Sequence, residues 1–284
     1  MAQFVTIPKK LDPRTSPKYV QKIPKIIWQT MNTNSLPILM TSYIDTWTNL
    51  NPEYEYRFFD DTDILDFLKT DFPNYLEGYK RLKFGASKAD LWRYLIIYKY
   101  GGVYADIDSK CIKPLCEWVN PSASFVTQLG VNKDICQWLI LSIPRNSIFL
   151  RAAEKTLQNQ EKNNKEISYY GFESKHKRLT FRKNTIPIKI KHEVLALSGP
   201  PVLQKAAEEC FDEGLISQIM DQTQLVCVSG ATSCQMNGNV KHDTGDPEYK
   251  SSYKLLHLKH YNSGLQRIRR KLLRLFWNNN SIGR

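Results

Sequence analysis

Residues 86–108 read Ala86-Ser-Lys-Ala-Asp90-Leu-Trp-Arg93-Tyr-Leu-Ile-Ile-Tyr-Lys-Tyr-Gly101-Gly102-Val-Tyr104-Ala-Asp106-Ile-Asp108. Ala89, Trp92, Leu95, Ile96 and Tyr100 recur at helical spacing, which predicts a helix over about Lys88–Lys99. Gly101-Gly102 stops it, because glycine tolerates the left-handed turn that closes a helix. The pair also permits close backbone approach. Val103–Asp108 then reads as a strand leading into a loop. In an extended segment Asp106 and Asp108 share one side and Ile107 points to the other. Asp90 and Arg93, three apart, share a helical face, either as site residues or as a surface ion pair.

Outward from this unit the pattern repeats. Lys25–Thr30 is a short apolar run after Pro24 and reads as a first buried strand. Helical spacing covers about Pro37 to Leu50, and Asn51-Pro52 breaks it. Tyr54–Phe59 alternates as a second strand and meets Asp60-Asp61; Asp61 or Thr62 is placed to cap a helix over Asp63–Thr70. Phe125–Leu129 and Trp138–Ser142 are further strands, and Asn146–Gln158 and Pro201–Cys210 are helices. Residues 159–185 read as a polar surface excursion; 186–197 includes an alternating strand at 186–191, and 225–228 and 254–258 read as late strands. Alternating strands and helices imply an α/β fold with a mostly parallel central sheet flanked by helices. Ligands of such sheets sit beyond the carboxyl ends of the strands, where Asp60, Asp106 and Asp108 fall.

The chain has 284 residues and a formal net charge of +12. That length suits one large domain with a small addition: an N-terminal arm over 1–22, a main domain over 23–264 and a basic amphipathic helix or tail over 265–284. The charge favours anionic partners. The basic runs at 175–192 and 267–274 do not coincide with an aromatic-rich recognition motif, so no nucleic-acid partner is expected. No phosphate-cradling glycine loop is present, which argues against a nucleotide hydrolase of that class. The six cysteines lack zinc-site spacing and read as scattered reduced thiols. No run reaches the roughly 18 apolar residues of a membrane span, and the first residues lack a signal-peptide core. The expected address is the cytosol, bacterial or of an infected host. Peripheral membrane contact through 265–284 is an alternative to that helix packing on the domain.

Two carboxylates spaced as Asp106 and Asp108 are hard oxygen ligands, suited to a divalent cation that also binds phosphate oxygens. A lone D-x-D triplet carries little information, and Asp61-Thr62-Asp63 is a second one, read as a helix start. The surrounding order carries more. The stretch 86–108 resembles the signature of the D-x-D glycosyltransferases of family 32. Ile23-Pro-Lys-Ile-Ile-Trp28-Gln29-Thr30, Asn51-Pro52-Glu-Tyr54 with Asp60, and Leu197-Ser198-Gly199-Pro200 are similar to its other blocks, in the same order. The last resembles a T/S-G-P turn.

The resemblance implies a GT-A type nucleotide-sugar-binding fold for 23–264 and a retaining hexosyl transfer from a UDP- or GDP-sugar to a glycan, glycolipid or protein acceptor. It implies Mn²⁺, or Mg²⁺, as cofactor. Asp108 would be the direct metal ligand, and Asp106 would hold ribose, sugar or a metal-bound water. Asp90 and Arg93 would meet donor-sugar hydroxyls. Trp28, Gln29, Thr30 and Asp60 would border the nucleotide. Tyr104 would stack on it, with core packing open for both Trp28 and Tyr104. His260, or else His257, would complete the metal shell. Asp134 and Gln137 are acceptor-side candidates.

Overall fold

A computed structural model describes residues 4–129, 135–163, 194–216, 235–236 and 240–242. Its centre is a six-stranded sheet built from β2 (Lys10–Leu11), β3 (Ile26–Thr30), β5 (Glu55–Phe59), β6 (Gly102–Ala105), β8 (Phe125–Leu129) and β9 (Ile135–Ser142), in the order β2-β5-β3-β6-β9-β8. The expected α/β architecture holds. The parallel pairing holds at the centre, where β3 runs parallel to both β5 and β6. The edges are antiparallel: β2 on β5, β9 on β6 and β8 on β9. The sheet is therefore mixed. Parallel neighbours need a crossover connection, usually a helix, and the chain supplies helices between β3, β5 and β6, whereas antiparallel β8 and β9 are separated by only five residues in the sequence.

Alternation along the central strands divides the core into two layers. Ile27, Tyr56, Phe58, Val103 and Ala105 pack against Met40, Tyr43, Ile44 and Trp47 of α1 (Ile38–Leu50). Trp28, Tyr104 and Ile140 face the other way, toward α4 (Gly85–Tyr100). There α2 (Asp61–Asp71), α3 (Pro73–Arg81), α6 (Ser147–Asn163) and α7 (Pro200–Asp212) complete the layer. A short helix α5 (Leu115–Trp118) borders the α1 layer.

The spacing read along α4 predicts a helix with one buried stripe. In the fold every residue from Asp90 to Ile97 is buried. A helix apolar around most of its circumference belongs inside, and α4 lies between the sheet and α6.

Several boundaries differ from the reading by a residue or two. α2 starts at Asp61 because Asp60 is its N-cap: the Asp60 carboxylate accepts from Thr62 N and Asp63 N, and Asp63 returns the bond to Asp60 N. The sequence pattern does not show α3, α5 or the short strands β1 (Phe4–Thr6), β2, β4 (Ser35–Pro37), β7 (Ser109–Cys111), β10 (Gln235–Met236) and β11 (Val240–His242). Of these, β1 pairs with β4. β7 pairs with β11, and β10 pairs with β11. Residues 4–11, read as part of a meandering arm, lay β1 and β2 against the body. The late strands expected at 186–191, 225–228 and 254–258, and the helix over 265–277, lie outside the described residues. Cys111, Cys116, Cys136 and Cys210 are free thiols, as read from the spacing.

Candidate active site

β6 ends at Ala105, earlier than the extended Val103–Asp108 read from the sequence. Residues 106–109 form a tight turn closed by Ser109 N donating to Asp106 O at 3.0 Å. The Asp106 carbonyl also accepts from Ser109 Oγ at 2.5 Å and from Gln29 Nε2 at 3.3 Å. Three donors on one carbonyl fix the turn at the carboxyl end of a central strand. Ile107 is buried in the α1 layer, while Asp106 and Asp108 are half-buried. The expected opposition of Ile107 to the two carboxylates thus survives the change from strand to turn.

Gly101-Gly102 makes this delivery possible. Both residues have positive φ, +63° and +98°. A Cβ on Gly102 would lie 2.7 Å from Ile26 O and 2.9 Å from Trp28 Nε1. Only glycine lets the chain turn out of α4 and enter β6 against β3.

Behind the turn lies a closed cluster of charges. Arg93 Nη2 is 3.0 Å from Asp90 Oδ1, and Arg93 Nη1 is 3.2 Å from Asp106 Oδ1. Arg93 Nη1 also donates to Gln137 O at 2.8 Å, and the guanidinium lies 4.3 Å from the centre of the Tyr104 ring. Asp90 Oδ1 accepts from Gln137 Nε2 at 2.9 Å, and Oδ2 from Ser198 Oγ at 2.7 Å. Tyr104 OH donates to Asp106 Oδ1 at 2.6 Å. The Asp90–Arg93 pair is therefore buried, not a surface ion pair; their side chains are 2% and 6% exposed.

These surroundings set the charge states. Burial pushes the Asp90 carboxyl up to about 6, against the pull of Arg93, Ser198 and Gln137. Burial works against the Arg93 charge, but Tyr104, Asp106 and Asp90 outweigh it and hold the guanidinium protonated. Burial above all raises the Tyr104 hydroxyl, keeping it a donor to Asp106.

The remaining expected residues divide. Gln29 is fully buried and joins Tyr56 OH at 3.0 Å to the Asp106 carbonyl. Trp28 is a core residue: its Nε1 donates to Gly101 O at 2.8 Å and its ring stacks on Tyr100. Thr30 Oγ1 donates to Phe59 O at 2.7 Å. Asp60 caps α2 and pairs with Lys9 at 2.7 Å. Gln137, read as an acceptor-side candidate, touches Asp90, Arg93 and Tyr94. Asp134, His257 and His260 lie outside the described residues. The reading gave Ser198 no separate role and overlooked Tyr94; the only signal for Ser198 was its place in the Ser-Gly-Pro turn.

The donor set at the turn fits a hard divalent cation. Asp106 and Asp108 present carboxylate oxygen, and Asp106 Oδ1 is already engaged by Tyr104 and Arg93. Among the described residues no group of three or more His, Cys, Asp or Glu side chains is arranged to hold a metal ion. Oxygen ligands from substrate phosphates and water ordinarily complete such shells.

Residues 37–125 match the family model for the glycosyltransferase sugar-binding region containing a DXD motif. Mannosyl phosphorylinositol ceramide synthase of Saccharomyces cerevisiae is 34% identical over 158 residues, covering 54% of this chain and 39% of that protein. Inositol phosphoceramide mannosyltransferase 3 of Schizosaccharomyces pombe is 40% identical over 93 residues, covering 33% of this chain and 26% of that protein. The matches thus span well under half the length of these relatives. The ligand-free glycosyltransferase domain from the YGT toxin superposes with a TM-score of 0.48 at 10% identity, covering 68% of this chain and 79% of that one. The segment 37–125, which holds β5, α4, β6 and the Asp106–Asp108 turn, is thus similar to the DXD-containing sugar-binding region of glycosyltransferases.

Proposed function

We propose that this chain is a metal-dependent glycosyltransferase that moves a hexosyl unit from a UDP- or GDP-sugar to a hydroxyl acceptor on a glycan, a glycolipid or a protein. The observation that carries the reading is Arg93, which ties Asp90 to Asp106 in one buried cluster beside Asp108, inside the segment that matches the family model. Both relatives are named for mannosyl transfer to an inositol-phosphate ceramide. GDP-linked mannose and an inositol phosphoceramide therefore head the substrates to test.

In this reading Asp108 ligates Mn²⁺ or Mg²⁺, Asp106 assists, and His260 or His257 completes the shell. The cation, when bound, neutralises the departing diphosphate. Asp90 and Arg93 form the floor beneath the donor sugar. Gln29 and Tyr104 hold the Asp106 turn from below, and Trp28, Thr30 and Asp60 support the adjoining strand ends. Asp90 is enclosed by Arg93, Ser198 and Gln137, so it is poorly placed as a covalent nucleophile. This supports retention by front-face attack without a glycosyl-enzyme. Among the described residues no helix is long and apolar enough to cross a membrane. Contact of 265–284 with an anionic bilayer is part of the proposal, and a chain lacking those residues should lose liposome binding.

The deciding experiment is a panel of UDP- and GDP-sugars with Mn²⁺ present or chelated, scored for released nucleoside diphosphate and for glycosylated acceptor. Turnover should need the metal and should vanish in Asp108→Asn. Full activity in that variant, or under strong chelation, overturns the reading.

A further inference from the structure

We propose that Ser198 is the positioning residue that holds Asp90 for the donor sugar, so that the Ser198-Gly199-Pro200 turn is a structural part of the donor site. The proposal rests on the glycosyltransferase reading and deepens it. Ser198 lies 108 positions from Asp90 in the chain, yet its Oγ donates to Asp90 Oδ2 at 2.7 Å. Its carbonyl accepts from Tyr94 OH at 2.7 Å. Ser198 therefore grips α4 twice, one helical turn apart, through side chain and backbone. It is fully buried, as is Tyr94.

The rest of the turn serves that grip. Gly199 N donates to Leu195 O at 3.0 Å, and a Cβ on Gly199 would lie 2.7 Å from Leu195 Cα. Pro200 opens α7, where its missing N–H costs nothing. Gly199 allows the chain to pass tightly from Ser198 into α7, which packs against α6 and β9.

The two oxygens of Asp90 are divided by this arrangement. Oδ1 faces Arg93 and Gln137, and Oδ2 faces Ser198. Without the Ser198 hydroxyl the Asp90 carboxylate loses the bond to Oδ2 and is free to rotate, which changes what it presents to the donor sugar. The group expected to feel this is the sugar, not the nucleotide.

The test uses the full chain as wild type, Ser198→Ala, Ser198→Cys and Ser198→Thr. Affinity is measured by calorimetry for the nucleotide-sugar that the wild type turns over and for its nucleoside diphosphate, both with Mn²⁺. Ser198→Ala should bind the nucleotide-sugar at least tenfold more weakly, with the diphosphate unchanged. Ser198→Cys, which keeps the volume, should show the same selective loss if the alanine variant fails to fold. Ser198→Thr should restore wild-type values. Equal weakening toward both ligands, or no weakening, overturns the role of Ser198 while leaving the enzyme reading intact. A wild type that binds and turns over no nucleotide-sugar removes both.

Discussion

Arg93 Nη1 stands 3.2 Å from Asp106 Oδ1, so a cation rooted in α4 fixes one of the two carboxylates on the turn that follows β6. The same guanidinium meets Asp90 at 3.0 Å and the Gln137 carbonyl at 2.8 Å. A lysine keeps the charge but offers one nitrogen in place of a planar fork and cannot serve three partners at once. Arg93→Lys should therefore lower donor turnover by about a hundredfold, on the order of 3 kcal/mol of transition-state stabilisation. Arg93→Met should in addition lose about 3–5 kcal/mol of folding stability, because it leaves the buried Asp90 carboxylate without its countercharge. Turnover assays and urea unfolding separate the two effects; a fully active lysine variant would sink the account.

Tyr104 offers a milder test of the same carboxylate. Its hydroxyl donates to Asp106 Oδ1 at 2.6 Å while its ring lies against Arg93. Tyr104→Phe keeps the ring and deletes one charge-assisted bond, for which about 1.5–3 kcal/mol is ordinary. Folding stability should fall by about that amount. The Mn²⁺ concentration that supports half-maximal turnover should rise, because Asp106 Oδ1 then keeps Arg93 but loses the Tyr104 hydroxyl and is held less tightly beside Asp108. An unchanged metal requirement would show that Asp106 needs no such support.

How much of this was legible in the sequence depends on range. The unit α4–Gly101–Gly102–β6 was readable because helical spacing and the conformational freedom of glycine are local properties. The turn at 106–109 was misread as extension, since alternating burial around Ile107 looks the same in both. The N-cap at Asp60 lies one residue before the expected place, because Asp60-x-x-Asp63 forms a capping box and the neighbouring acidic residue Asp61 offers a competing cap in the sequence. β1 and β2 are three and two residues long, too short to show a period. The contacts of Ser198 and Gln137 with Asp90 have no sequence signal of this kind, because they depend on how residue 198 and β9 meet α4 across the fold.

Asp90 carries a pH signature with a definite sign. Burial raises its carboxyl from 3.8 to about 6 in the folded chain. Between these values the folded protein holds a proton that the unfolded chain releases. The stability contributed by this group is thus fully present below about pH 4 and is lost as pH rises through about 6. Two pK units correspond to about 3 kcal/mol. Asp90→Asn cannot titrate, so the stability of wild type relative to that variant should fall by that order between pH 4 and pH 7, measured by urea unfolding at each pH. A difference that instead grows with pH would mean that Arg93 holds the carboxyl below its ordinary value.

Gly102 tests the delivery of the site without touching a charge. Its φ is +98°, and an added Cβ would meet Ile26 O at 2.7 Å, a backbone atom of β3 held in the sheet by its neighbours. Gly102→Ala therefore carries both backbone strain, typically about 1–3 kcal/mol, and a clash that the sheet cannot easily relax. Gly214 is the natural control: its φ is +70° and nothing lies within 4 Å of its would-be Cβ. Gly214→Ala should show only the strain component and should leave turnover unchanged, since it lies just beyond α7 and away from Asp106. Gly102→Ala should be less stable than Gly214→Ala and should also lose turnover, because β6 must shift away from β3 and carries the Asp106–Asp108 turn with it. Equal melting temperatures for the two variants would mean that the contact between β6 and β3 yields freely, and that the position of the carboxylates does not depend on it.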